Sequence, residues 1–180
     1  LLALPRALAG SLEKQQRKID PIPLEEEKAL GNTLARLIDD DEKWAVVKQG
    51  PVVDYLQGLL DALTVHIRRK GMDYRVYLLD SDMENAFCLP GGHVFVSRGL
   101  LTKQIENEAQ LSSVLAHEIA HVDRGHTVAL FQYVRQVLGQ TGDSLAIHLR
   151  RFLELPYSHA YELEADFAGA SLCIKAGYSP

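Results

Sequence analysis

Two histidines and a glutamate stand at a spacing that is typical of a zinc hydrolase. Residues 117–121 have the pattern H-E-x-x-H, in which two imidazoles hold the metal and the glutamate activates water. Residues four apart on a helix lie on one face, so His117 and His121 can bind one cation. Glu118 is turned from the first histidine by about 100°. The pattern therefore predicts metal ligands at 117 and 121 and a general base at 118.

The residues around this motif support a helix. Apolar side chains recur at helical spacing through residues 105–122, and no proline or glycine interrupts the segment before Gly125. The alternative is a chance match on a surface helix, but such a helix does not normally embed two histidines in so apolar a stretch. We expect one amphipathic helix that carries both histidines into a zinc site.

Two histidines are too few for a catalytic zinc, which usually has three protein ligands and an open position for water. The metzincin pattern takes its third ligand from a histidine six residues after the second one, with a glycine between them. Thr127 and Arg124 occupy these two positions, which excludes that class. His126 lies one residue before the position of the metzincin histidine. We interpret it either as a histidine that contacts a metal ligand without binding the metal or as a surface histidine.

A second, acidic helix offers the third ligand. An apolar stripe at helical spacing predicts a helix over residues 158–176, closed by Gly177. The stripe consists of Leu163, Phe167, Ala170 and Ile174. Glu162 and Asp166 share a face, so one can bind metal while the other accepts a hydrogen bond from a ligand imidazole. Glu164 is expected to point elsewhere. Alone, an acidic pair indicates a solvated face, but beside H-E-x-x-H it is the best source of the third ligand.

Taken together, these motifs resemble those of the HtpX, BepA and Oma-type gluzincin metallopeptidases, which are relatives of the CAAX prenyl protease. The resemblance covers roughly residues 74–180 and rests on three ordered motifs, a combination that is highly specific. The matching segments are Asn85-Ala86-Phe87 with Pro90-Gly91-Gly92, then residues 117–122, then Tyr157-Ser158 with residues 162–169, and Ala176-Gly177-Tyr178.

The resemblance implies a zincin-like α+β fold and a Zn²⁺ ion held by His117, His121 and Glu162. It also implies that Glu118 is the general base and that Asp166 hydrogen-bonds to a metal-binding imidazole without itself binding the metal. Polypeptides are the implied substrates.

The chain departs from the family pattern at three places. His159 stands where the family often has arginine, and Gly125-His126 stands where it often has Arg-His. The family also continues beyond Pro180, so we expect this chain to lack the C-terminal part of the catalytic domain. A transition-state donor supplied there would lie outside it.

Composition limits the classes of partner. The chain has 180 residues, of which 47% are hydrophobic, as expected for one globular domain. A net charge of −5 argues against nucleic acid as the main partner. The basic run Arg68-Arg69-Lys70 is expected at a solvated helix end. Cys88 and Cys173 are too few for a disulfide scaffold, and we expect two unpaired thiols.

Hydropathy bears on location. The sequence contains no run of about 18 apolar residues, so we expect no membrane span. This differs from the HtpX branch and favours the soluble BepA-like branch, and hence the bacterial periplasm or envelope. Residues 1–10 contain Ala7-Leu8-Ala9, which has the form of a signal cleavage site. A signal remnant and a packed N-terminal segment both remain open for them.

The rest of the chain divides into an arm and one catalytic domain. Residues 1–23 are interpreted as the N-terminal arm and residues 24–180 as the metallopeptidase domain. Periodicity predicts helices over 24–38 and 53–70, followed by strands over 74–79, 86–89 and 93–97. Helices, then a small sheet, then helices indicate the α+β class.

One strand is assigned to the substrate. In gluzincins the edge strand beside the metal pairs with an extended peptide, and residues 93–97 are expected to be that strand. Its proposed peptide-binding residues are His93, Val94, Phe95 and Val96. An open edge offers unpaired backbone groups to a peptide. An ordinary central strand is the alternative.

The sequence therefore predicts a zinc-dependent endopeptidase, acting by resemblance on unfolded or misassembled proteins of the cell envelope. The rival interpretation is a metal-binding chaperone or assembly factor with latent proteolysis. A structural zinc protein is disfavoured because H-E-x-x-H plus one glutamate leaves a coordination position open. The sequence determines neither the cleavage preference nor the oligomeric state.

Overall fold

The computed structural model describes residues 22–138 and 144–178. In these residues the helices are α1 (Leu24–Asp39), α2 (Pro51–Thr64), α3 (Arg98–Lys103), α4 (Glu108–Asp123), α5 (His126–Leu138), α6 (Leu145–Glu154) and α7 (His159–Lys175). The strands are β1 (Val46–Val47), β2 (Arg75–Leu79), β3 (Ala86–Leu89) and β4 (His93–Ser97). Helices around one small sheet confirm the predicted α+β class.

The predicted N-terminal arm falls almost entirely outside the described residues, as does Ala7-Leu8-Ala9. None of the helices within the described ranges is both long and apolar enough to cross a membrane.

The sheet has the strand order β1-β2-β4-β3. β2 runs parallel to β4, whereas β3 runs antiparallel to β4, with Phe87 opposite Phe95. The short turn Pro90–Gly92 joins β3 to β4, and both glycines in it have positive φ angles, which suit residues without a Cβ.

The expectation that residues 93–97 form the open edge is therefore wrong. β4 is hydrogen-bonded on both sides, and all five of its residues are buried. His93, Val94, Phe95 and Val96 consequently offer no free backbone to a peptide. The run of buried apolar residues is typical of a central strand, whose two faces are both covered. The edge beside α4 belongs to β3.

Two apolar clusters lie on the two faces of the sheet. One is built mainly from α2, α4 and the adjoining strands, and includes Leu60, Val94 and Ile119. The other joins α1, α5 and α6, and includes Ile38 and Phe131. The H-E-x-x-H helix thus packs directly on the sheet, which holds its buried face in place.

Helix α2 ends at Thr64, six residues before the predicted end. Asp123, at the end of α4, accepts hydrogen bonds from the backbone N–H groups of Arg68 and Arg69, at 2.9 and 2.7 Å. Because these two amides donate to Asp123 and not to carbonyl groups of α2, the chain leaves the helix before them. Ile67 in this turn is nevertheless buried, which is why its side chain extended the apparent helical pattern.

The basic run at 68–70 is not simply a solvated helix end. Arg69 forms a two-pronged ion pair with Glu27 of α1, whose side chain is fully buried. Arg69 also donates to the carbonyl of Val122 at 2.8 Å. One guanidinium therefore ties α1 to the end of the H-E-x-x-H helix.

Helices α4 and α7 cross closely, and small residues line the crossing. These are Ala116, Ala120, Ala165, Ala168 and Gly169. The stripe used to predict α7 lies on its other side, since Leu163, Phe167 and Ile174 are exposed. The spacing of the stripe predicted the helix, but the stripe does not mark the face that packs on α4.

Candidate metal centre

The three predicted ligands meet in space. Donor atoms of His117, His121 and Glu162 all lie within 4.8 Å of one another. The two Nε2 atoms are 3.0 Å apart, and Glu162 lies 3.4 Å from His117 Nε2 and 3.9 Å from His121 Nε2. Two ligands of one tetrahedral zinc stand roughly 3.3 Å apart, given bonds of about 2.0–2.1 Å. The spacing therefore fits a metal ion.

Local helix signals place these side chains. Asn107 caps α4 by accepting a hydrogen bond from the Gln110 N–H, and Ser158 caps α7 by accepting one from the Tyr161 N–H. The histidines fall in the last two turns of α4, whereas Glu162 falls in the first turn of α7. Because the helices cross where their residues are small, the carboxylate reaches the imidazoles.

Each ligand imidazole has an outer partner at Nδ1. For His117 the partner is Asp166 Oδ1, at 3.0 Å, the residue that the family resemblance implies for this role. For His121 it is His126 Nδ1, at 3.1 Å. In the tautomer that leaves Nε2 unprotonated, both Nδ1–H groups donate outward.

This tautomer explains why the site suits a cation. With both protons at Nδ1, the two Nε2 lone pairs face each other and a carboxylate across about 3–4 Å, a spacing that metal ligands adopt. A shared cation turns that repulsive arrangement into an attractive one. Two neutral imidazoles and one carboxylate are also donors that zinc accepts.

The two histidines differ in their electrostatic surroundings. Burial lowers the pKa of His121 to about 2, assisted by the neighbouring imidazoles, which keeps it neutral and able to bind metal. The hydrogen bond with Glu162 raises the pKa of His117. In the absence of a cation, the carboxylates around His117 therefore favour a proton at the position that a metal would take.

Glu118 lies beside these ligands and faces an open cleft. It is partly buried, and removal from water raises the pKa of its carboxyl group. Glu118 and Glu162 both line the cleft, together with Cys88 and Tyr157. A carboxylate held next to a metal site and open to a cleft suits a general base. This role remains a prediction.

The cleft runs from the metal site along β3. Its volume is about 1340 Å³, and residues 85–88 line it. Leu149 and Phe152 of α6 also line it, and Trp44, another lining residue, packs edge-on against Phe87. Within the described residues, no strand pairs with this edge of β3.

Two contacts of the site were not predicted from the sequence. Tyr157 stacks on the His121 ring, with centroids 3.9 Å apart. Glu164, which was expected to point away, lies with Oε2 3.3 Å from His126 Nε2. His126 is only 2% exposed and contacts the ligand His121, so it is not a surface histidine. Its place five residues after His121 was the available signal, but spacing alone did not reveal the partner.

Cys88 and Cys173 are both buried and carry free thiols, as predicted.

Comparison with known proteins also indicates a metallopeptidase. The model of Peptidase family M48 matches residues 53–180. The mitochondrial metalloendopeptidase OMA1 of Arabidopsis thaliana is 32% identical over an alignment of 133 residues, and the match covers 66% of this chain and 26% of that protein. The OMA1 protein of Schizosaccharomyces pombe is 31% identical over an alignment of 140 residues, and the match covers 72% of this chain and 41% of that protein.

A second group of relatives carries a different name. The beta-barrel assembly-enhancing protease of Yersinia pestis is 30% identical over 119 residues, 66% of this chain and 24% of that protein. The chain therefore spans less than half the length of each of these curated relatives.

Proposed function

Because the chain belongs to peptidase family M48, we propose that it is a zinc-dependent endopeptidase. The observation that carries this proposal is the convergence of His117, His121 and Glu162 beside Glu118 on an open cleft. The ligand set leaves a coordination position for water, which separates catalytic from structural zinc sites.

The proposed chemistry divides between the metal and the protein. Zinc, when bound, supplies a Lewis acid that polarises the scissile carbonyl and makes water more acidic. Glu118 accepts a proton from the attacking water and delivers it to the leaving amine. Asp166 and His126 hold the ligand imidazoles with their Nδ1–H groups pointing outward.

We assign the substrate strand to β3. An extended peptide in the cleft would pair with the free edge of β3, where the backbone of Ala86 faces away from β4, and its scissile bond would lie near Glu118. Trp44 and Phe152 provide apolar walls for the side chains of such a peptide. Exposed apolar side chains are a property of unfolded polypeptides, which supports these as the substrate class.

The biological role is proposed from the relatives. One group is named for β-barrel assembly, and this supports protein quality control at the bacterial envelope, in the periplasm. The other group is named as mitochondrial. Fractionation of the source cells, followed by detection of the chain, tests the location. Recovery outside the envelope fraction would exclude it.

Glu118→Gln tests the enzymatic proposal. The amide keeps the shape of the side chain but cannot take a proton, so we expect unchanged zinc content and loss of casein cleavage. Removing a general base costs about 10²–10⁴ in rate. Glu106→Gln, an exposed change just before α4, is the matched control and should cleave like the parent chain.

Two outcomes would contradict the proposal in different ways. Undiminished cleavage by Glu118→Gln would exclude the assigned base. A parent chain that binds zinc, cleaves nothing and suppresses the aggregation of unfolded casein would favour the chaperone interpretation.

A further inference from the structure

His126 and Glu164 lie outside the predicted ligand set, yet they form a hydrogen-bonded chain that ends on a ligand. We propose that this series of hydrogen bonds positions His121, so that His126 and Glu164 are positioning residues of the metal centre. The inference rests on the proposed zinc site and concerns the orientation and protonation of one ligand ring.

The first link determines where the protons lie. His121 Nδ1 and His126 Nδ1 are 3.1 Å apart, and such a contact holds one proton. His121 Nε2 faces His117 and Glu162, so its lone pair is needed for the metal. The proton of His121 is therefore on Nδ1, and Nδ1 of His126 must accept it.

The second link supplies the matching tautomer. Since His126 accepts at Nδ1, its own proton is on Nε2, which lies 3.3 Å from Glu164 Oε2. An ionised carboxylate only accepts, so Glu164 selects the Nε2–H tautomer of His126. Arg124 Nη1 lies 3.6 Å from the other carboxylate oxygen and holds Glu164 in place.

Packing keeps both rings from rotating. The ring of His126 stacks on Tyr161, with centroids 4.1 Å apart, and the ring of His121 stacks on Tyr157. Gly125 has φ +78°, a conformation that permits the tight turn between α4 and α5. That turn brings His126 back against His121, although it follows the H-E-x-x-H helix.

The two ligand histidines are thus supported in different ways. His117 donates directly to the carboxylate of Asp166, whose side chain is 66% exposed. His121 donates to the buried neutral imidazole of His126, which in turn donates to the carboxylate of Glu164. Water can replace Asp166 but cannot readily reach His126, so loss of His126 should have the larger effect on the metal.

Zinc affinity of His126 variants tests the proposal. His126→Phe keeps a ring that can stack on Tyr161 but removes the acceptor, so we expect zinc binding, measured by competition with a chelator, to weaken about 10–100-fold. His126→Asn places an amide oxygen near the former Nδ1 and should bind zinc more tightly than His126→Phe. Glu26→Gln, an exposed change on α1, is the control and should bind like the parent chain.

Nitrogen NMR of the histidine side chains in the zinc-loaded parent chain provides a second readout that general destabilisation would not mimic. We expect His121 protonated at Nδ1 and His126 at Nε2. A His126 protonated at Nδ1, or equal zinc affinity in the two His126 variants, would overturn the proposal. So would a parent chain that binds no zinc. Zinc binding without casein cleavage would overturn only the proposed function.

Discussion

Gly169 of α7 lies directly against the backbone of His117. A Cβ atom at position 169 would stand 3.0 Å from the His117 nitrogen, closer than most Cβ atoms approach any neighbour. The metal centre is built between α4 and α7, so the separation of the two helices decides whether Glu162 reaches the histidines. The missing side chain of Gly169 sets that separation.

Gly169→Ala should therefore weaken the site. The added methyl group meets rigid backbone, and overpacking typically costs about 1–3 kcal/mol. Gly58→Ala is the matched control, because position 58 also lies within a helix but has no neighbour within 4 Å. It should stabilise the fold by up to about 1 kcal/mol through helix propensity. Urea unfolding and zinc titration measure both effects, and equal behaviour of the two variants would refute this account.

Glu162→Gln should lose more zinc affinity than Glu164→Gln. Glu162 faces both ligand imidazoles, whereas Glu164 reaches the site only through His126. Both glutamates lie on α7 with similar exposure, so each variant controls for the other. Chelator competition on the two proteins gives the order. A greater loss in Glu164→Gln would show that the ligand assignment is wrong.

Asp166→Leu should reduce zinc affinity less than His126→Phe does. Removing an outer partner of a ligand typically costs about 10–100-fold, and we expect the lower end here because water can reach His117 Nδ1 after the change. The measurement is the same zinc competition. A loss larger than that of His126→Phe would contradict the argument from exposure.

Glu27→Ala should destabilise the fold by about 3–5 kcal/mol, because it leaves the charge of Arg69 without its buried partner. Glu26→Ala, one residue earlier and exposed, should change stability by less than about 0.5 kcal/mol. Urea unfolding checks both. A double change, Glu27→Met with Arg69→Met, should recover part of the loss, since it removes both charges. Equal stability of Glu27→Ala and Glu26→Ala would show that the ion pair contributes nothing.

Much of the candidate site follows from local patterns. The spacing of His117 and His121 predicts their common face, since helix geometry depends only on residues a few positions apart. The strands 86–89 and 93–97 were recognised from their own composition, and the glycines between them indicated the turn. Family resemblance supplied Glu162 and Asp166, and the structure brings both to the histidines.

The relations between elements were decided by the tertiary structure. The apolar residues of β4 indicate burial but do not say which strands cover its edges, so the open edge was assigned to β4 when it belongs to β3. The apolar stripe of α7 is exposed. The small residues on the opposite face of that helix are the ones that allow its close approach to α4. Helical periodicity could not place Glu164 against His126, because that contact depends on the turn at Gly125 and on the crossing of two helices. Local physics determines which residues share a face, whereas packing of distant segments determines what each face meets.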